Sequence, residues 1–280
     1  MKRRLAVVVA AMLILALASL LGAFQVRSSQ RWEWEMQEPI NDPPDASEKG
    51  EFTFARLRYR SFSFGGGGGR GFGGRGFGRG GRSSWGIDAN RADRLIAQAV
   101  RRLTRISARS VEEVIDIDEG PLFDYPWLYA VEVGRWELST AHAKKLREYL
   151  DRGGFLMVDD FHGSQEWAIF MDSLQRVFPD RQVMDIPGDD AIFKVISSLA
   201  DRFQVPGAQF LRSGVTYERD GYEARWAGIF DDKGRIQVAI CHNMDLGDAW
   251  QYADDPMYPE KFAGLAIRVA INDIGYAMTH

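Results

Sequence analysis

The 280-residue sequence has one cysteine, Cys241. A lone thiol can form no internal disulfide and no multi-cysteine metal centre. Exported proteins without disulfides are common, so the absence leaves export open. There is no excess of positive charge either: the net formal charge is -4. Residues 1–23 hold Lys2, Arg3 and Arg4 and no acid, so the remainder carries 32 basic against 39 acidic residues, a net of -7. A mildly acidic body argues against a general nucleic-acid binder. No internal repeat is visible, and no catalytic motif is specific enough to fix a reaction.

What is present begins at the N-terminus. Met1-Lys-Arg-Arg4 is followed by Leu5–Phe24, twenty residues without a charge. As a helix this run spans roughly 30 Å, one hydrocarbon core. Basic residues stay on the cytoplasmic side. Two readings stand: an uncleaved inner-membrane anchor (residues 5–24) with the domain in the periplasm, or a signal peptide cut after Ala18 or near Ala23, which releases the chain to the periplasm. Residues 25–50 read as a linker, with Pro39, Pro43 and Pro44 against regular structure. Within it, Arg31-Trp-Glu-Trp34 suits a membrane interface or packing on the domain.

The domain is expected over residues 51–280. Phe52–Tyr59 suggests a strand. Residues 64–82 are almost pure Gly, Arg and Phe, too poor in buriable surface to offset backbone entropy, and are expected to be a disordered insert. Its Gly-x-Gly-x-x-Gly matches are compositional, since no helix starts within them. Its arginines Arg70, Arg75, Arg79 and Arg82 belong to a tolerated insertion or a mobile, anion-gathering loop. Asp88 is read as the cap of a helix running to about Ile106. Residues 111–117 and 127–133 read as strands. Ser139 caps the next helix, which Gly153-Gly154 ends. Phe155-Leu-Met-Val158 is the continuous apolar run of a central parallel strand. Ser164 caps a helix stopped at Pro179, and Gln182–Ile186 is a strand. Residues 226–230 and 235–240 flank Asp231-Asp-Lys-Gly234 as a hairpin. A helix over about 259–277 closes the chain. Strands alternating with helices imply an α/β fold: a doubly wound, mostly parallel sheet with helices on both faces.

Ligands of such sheets bind beyond the carboxyl ends of the strands. The central strand delivers Asp159, Asp160 and His162 to that edge; the last strand delivers Cys241, His242, Asp245 and Asp248. Asp159, Asp160, His162, His242 and Asp245 are therefore the candidate binding or metal residues. The acids suit Mg, Ca or Mn, and the histidines would shift the choice toward Zn. Each also has a plainer role, as a cap, a turn former or a hydrogen-bonded loop residue. Cys241 is expected to be a small buried residue at a strand end.

Phe52-Thr-Phe-Ala-Arg-Leu-Arg-Tyr59, Leu122-Phe-Asp-Tyr-Pro-Trp-Leu-Tyr129, Leu146 through Gly153-Gly-Phe-Leu-Met-Val-Asp-Asp160, and Val177-Phe-Pro179 together resemble the bacterial family called domain of unknown function 4159, over about residues 51–278. The glycine-rich insert departs from that pattern. The family looks like a branch of the class I glutamine-amidotransferase-like, flavodoxin-like fold. There the strand after Gly-Gly ends in a cysteine on a tight elbow. Here Asp159 or Asp160 stands at that place, and no His-x-Glu follows near the C-terminus. The resemblance thus implies a fold and a site location without the covalent route to glutamine hydrolysis. The expectation is a binding or interaction domain working at the Asp159 edge. A metal-assisted hydrolase, or a structural part of a membrane-protein complex, are the alternatives.

Overall fold

In the computed structural model, residues 31–61 and 83–280 are described. The membrane run at residues 5–24 and the insert at residues 64–82 lie outside them. No helix among the described residues is long and apolar enough to cross a membrane.

Seven strands form one sheet: β1 (Ala55–Arg58), β2 (Glu113–Asp116), β3 (Trp127–Val131), β4 (Phe155–Asp159), β5 (Met184–Asp185), β6 (Arg225–Phe230) and β7 (Ile236–His242). Their order is β2-β1-β3-β4-β7-β6-β5. β2, β1, β3, β4 and β7 are mutually parallel, whereas β6 runs antiparallel to both β7 and β5. The helices are α1 (Arg91–Leu103), α2 (Thr140–Asp151), α3 (Gly163–Val177), α4 (Phe210–Ser213), α5 (Leu246–Gln251) and α6 (Glu260–Thr279).

β4 is central, as its unbroken apolar sequence requires, and all five of its residues are buried. Side chains alternate across the sheet with a period of two. Trp127, Tyr129, Val131, Phe155 and Met157 join the apolar cluster that includes residues of α1, α5 and α6. Leu128, Ala130, Leu156 and Val158 join the cluster that includes Leu146 of α2 and Phe170 of α3. The sheet therefore has helices on both faces. The expected hairpin is present: Asp231 Oδ1 accepts from the N–H groups of Lys233 and Arg235, and Gly234 takes φ +81°.

Two helix starts differ from expectation. Asp88 does not cap α1; the helix begins after Asn90, and Asp88 adopts φ +58° in the preceding turn. α3 begins at Gly163, one residue before Ser164, whose hydroxyl instead donates to Asp220. Ser139 does cap α2, in a reciprocal capping box with His142.

The stretch read as a linker is fastened to the domain from Arg31 onward. Glu35 is buried and accepts from Arg58 Nη2 (2.8 Å), Ser83 Oγ (2.9 Å) and Trp85 Nε1 (2.6 Å). The Arg58 guanidinium also lies 3.6 Å from the Trp32 ring centroid. Arg58 is the last residue of β1, so this clamp sits at the carboxyl edge. The polar composition concealed it, because the few groups that dock are carboxylate and indole rather than an apolar stripe.

Two glycines give opposite expectations. A Cβ on Gly154 would lie 2.3 Å from the ring of Tyr149, whose hydroxyl donates to Phe155 O. A Cβ on Gly264, inside α6, would meet nothing within 4 Å. Gly264→Ala should stabilise by about 0.5–1 kcal/mol. Gly154→Ala should destabilise by about 1–3 kcal/mol. Denaturant unfolding of the two variants checks both signs.

Candidate functional site

The carboxyl ends of the central strands share one backbone device. The residues directly after β3, β4 and β7 (Glu132, Asp160 and Asn243) have φ of +50°, +53° and +64°. Such conformations cost on the order of 1–3 kcal/mol each for non-glycine residues and persist only where neighbours over-determine them. Here the neighbours are each other. Glu132 N–H donates to Asp159 O, Asp160 N–H to Met244 O, and Asn243 N–H to Phe161 O, at 3.0 to 3.1 Å. The strands thus end in interlocked left-handed turns that aim side chains over the sheet edge.

Asp159 closes β4 and is fully buried. Its Oδ2 accepts from the N–H groups of Leu246 (2.7 Å) and Gly247 (3.1 Å) and from the Tyr129 hydroxyl (3.2 Å), while Oδ1 is buried without a partner among the described residues. Burial pushes its carboxyl up to about 7, against the lowering effect of these donors. Asp159 therefore fastens the first turn of α5 to the sheet. Below it, the stacked pair Trp127–Tyr129, with Phe54 and Trp250, forms an aromatic floor.

Asp160, Asp245 and Asp88 converge. One carboxylate oxygen from each lies within 4.8 Å of the others. All three residues are at least nine-tenths buried. Asp245 caps α5, its Oδ1 accepting from Asp248 N–H at 2.8 Å. Asp88 arrives from the other side of the sheet's switch point, between β1 and β3. Arg56 holds it there: its guanidinium is bidentate to Asp93 of α1 and donates to the carbonyls of Trp85 (3.1 Å) and Ile87 (3.0 Å). Asp88 Oδ2 has no hydrogen-bond partner among the described residues. Two glycines frame the cluster. A Cβ on Gly247 would fall 2.7 Å from Asp88 Oδ2, and one on Gly207 would fall 2.3 Å from Asp245 Oδ2.

Burial, first, and mutual repulsion, second, hold all three carboxyls well above the ordinary carboxylate range. Asp88 feels Asp248 and Asp160; Asp160 feels Glu132, Glu218, Asp159 and Asp248; Asp245 feels Asp160, Asp248, Asp88 and Asp159.

Of the residues singled out in the sequence, Asp160 and Asp245 belong to this cluster, and Asp159 borders it. His162 reaches it through one contact, Nε2 to Asp160 Oδ1 at 3.1 Å; its Nδ1 is buried and unpartnered among the described residues, and its N–H donates to Glu166 Oε2. Asp248 is half-buried and accepts from Ala208 N–H at 2.5 Å. His242 is not part of the cluster. Its ring lies between Phe161 and Trp167, with Nε2 near Gly163 O, and faces an open groove of about 520 Å³. Burial there lowers its pKa to about 4, so the ring is neutral. The cause is the strand period: Cys241 and His242 point to opposite faces. Cys241 is 2% exposed, with its thiol pushed up by burial. Asp88 was missed because a cap was the simpler reading; its position before a helix at the same edge, like that of Asp160, was the available signal.

These shifts set a sign for stability. A carboxyl raised in the folded state holds its proton longer than in the unfolded chain. Folding stability then falls as pH rises above the unfolded value, here between about pH 4 and pH 7 for Asp159. In chelator, melting temperature should therefore decline from pH 5 to pH 7.5, and Asp159→Asn should flatten the profile. A melting temperature that rises over this range would contradict the assignment.

Comparison with curated proteins gives no match. Against protein-family models, the one described as Domain of unknown function (DUF4159) matches residues 53–278. That span includes the seven-stranded sheet and all three clustered acids, and this chain belongs to that family.

Proposed function

We propose that this chain is a membrane-held, extracytoplasmic binding domain that takes a hard divalent cation (Mg, Ca or Mn) on Asp88, Asp160 and Asp245. The observation that carries the reading is the convergence of three buried carboxylate oxygens within 4.8 Å. Two further features support it. Asp88 Oδ2 has no hydrogen-bond partner among the described residues, and the flanking positions are glycines at which a Cβ would crowd the acids. The donors are all oxygen, which favours Mg, Ca or Mn over Zn. Leu5–Phe24 supplies the membrane segment in this reading.

The parent fold is read as amidotransferase-like. Two features support that reading: the strand order β2-β1-β3-β4 agrees with a flavodoxin-like one, and Asp160 takes a left-handed conformation between β4 and α3, where a nucleophile elbow would be expected. With a carboxylate there, and with the only thiol buried on β7, glutamine hydrolysis through a thioester has no nucleophile.

Calorimetric titration of the full chain in detergent tests the cation. Asp88→Asn and Asp245→Asn should each weaken binding by more than about tenfold, and Gly247→Ala should also weaken it by crowding Asp88. Affinity should rise with pH, because binding must displace protons from raised carboxyls. Absence of binding or thermal shift with Mg, Ca and Mn alike would end this reading.

A metal-assisted hydrolase is the second reading, favoured by His162, whose Nδ1, without a partner among the described residues, and contact to Asp160 suit a general base beside a cation. Cation-dependent turnover of an activated phosphodiester or ester should then vanish in His162→Gln while cation binding survives. No turnover with any loaded cation would dispose of it.

A further inference from the structure

We propose that the carboxyl edge of the sheet docks on the lipid bilayer, with Trp34 seated at headgroup level. The inference rests on the reading above only in taking Leu5–Phe24 as the membrane segment.

The first support is where the chain enters. The described residues begin at Arg31, and Arg31–Gln37 are bound to the carboxyl edge. Arg31 pairs with Glu119 in the loop after β2 (3.5 Å), Glu35 is clamped by Arg58, Ser83 and Trp85, and Gln37 N–H donates to Gly86 O. Gln37 Oε1 also accepts from Asp88 N–H at 3.3 Å, so the entry strap touches the acid cluster itself.

The second is the leash. Seven residue steps separate Phe24 from Arg31, a reach of about 25 Å when fully extended. The domain is taller than that. α6, with 20 residues, measures roughly 30 Å. It runs from near Tyr258, whose hydroxyl donates to Pro206 O beside the acid cluster, to Tyr276, whose hydroxyl accepts from Ile236 N–H at the amino end of β7. So short a leash cannot pass around the domain to present its opposite edge.

The third is the surface at the entry point. Trp34 is 73% exposed, although both Glu35 and Met36 beside it are buried. An indole held outward on a fixed strap, with Arg31 61% exposed three residues earlier, is the pairing that membrane interfaces favour. Beyond Trp34, Leu211 of α4 and Tyr222 are also exposed, on the segment that leads from Gly207 toward β6. The edge carrying Asp88, Asp160 and Asp245 is then the one nearest the headgroups.

The test uses the full chain reconstituted in vesicles of phosphatidylcholine and phosphatidylglycerol. Cys241 is buried, so a polar fluorophore reports only an introduced thiol. Glu38→Cys and Leu103→Cys are compared, which leaves Trp34 in place; both sites are exposed, Glu38 follows Gln37 on the entry strap, and Leu103 ends α1 at the amino edge. With nitroxide-bearing lipids, emission from position 38 should be quenched and that from position 103 retained. Equal quenching at both sites, or none at position 38, would overturn the proposal, as would recovery of the chain in the aqueous fraction. Cation binding is read separately by titration in detergent, so a failure there leaves the docking result interpretable.

Discussion

Three carboxylates within 4.8 Å of one another and out of water cannot all be ionised without a compensating charge. The rest of the carboxyl edge is arranged to keep them close despite that repulsion. Left-handed turns after β3, β4 and β7 lock through backbone hydrogen bonds, which fixes the backbone that carries Asp160. Asp245, one of the three, also caps α5, and the neighbouring Asp159 ties the same helix to the sheet, so both also serve the fold. Arg56 hydrogen-bonds Asp93 and two carbonyls, and its charge only partly offsets the burial and repulsion that raise Asp88. A protein that needed only stability would sooner replace such a cluster with apolar packing.

The fold was legible wherever a long, regular pattern met an unambiguous stop. Phe155–Val158 between Gly154 and Asp159 announced a central strand, and the Asp231–Gly234 turn announced the hairpin. α5 was not legible: six residues are too few for a helical period, and its acids read equally well as turn formers. Residues 187–224 carry no sustained period, yet this region brings Gly207 against Asp245.

At the site, Asp159 at the end of the central strand and Asp160 directly after it were visible because the topology rule points there. Asp88 was hidden by distance along the chain: its strand ends at Arg58, and the glycine-rich stretch stands between. His242 shows the reverse error. Adjacent in sequence to residues of the edge, it is turned by the pleat toward the groove beside Trp167.

The clamp on Glu35 bears on the glycine-rich stretch as well. Ser61 bridges to Trp136 on one side of that stretch, and Ser83 and Trp85 are held by Glu35 on the other. Both ends are pinned by contacts among the described residues. For a flexible stretch closed at both ends, the entropy of closure grows only with the logarithm of its length. Changes in the number of residues between Ser61 and Ser83 should therefore cost the sheet little, and a protein engineer could splice a reporter domain into the same gap.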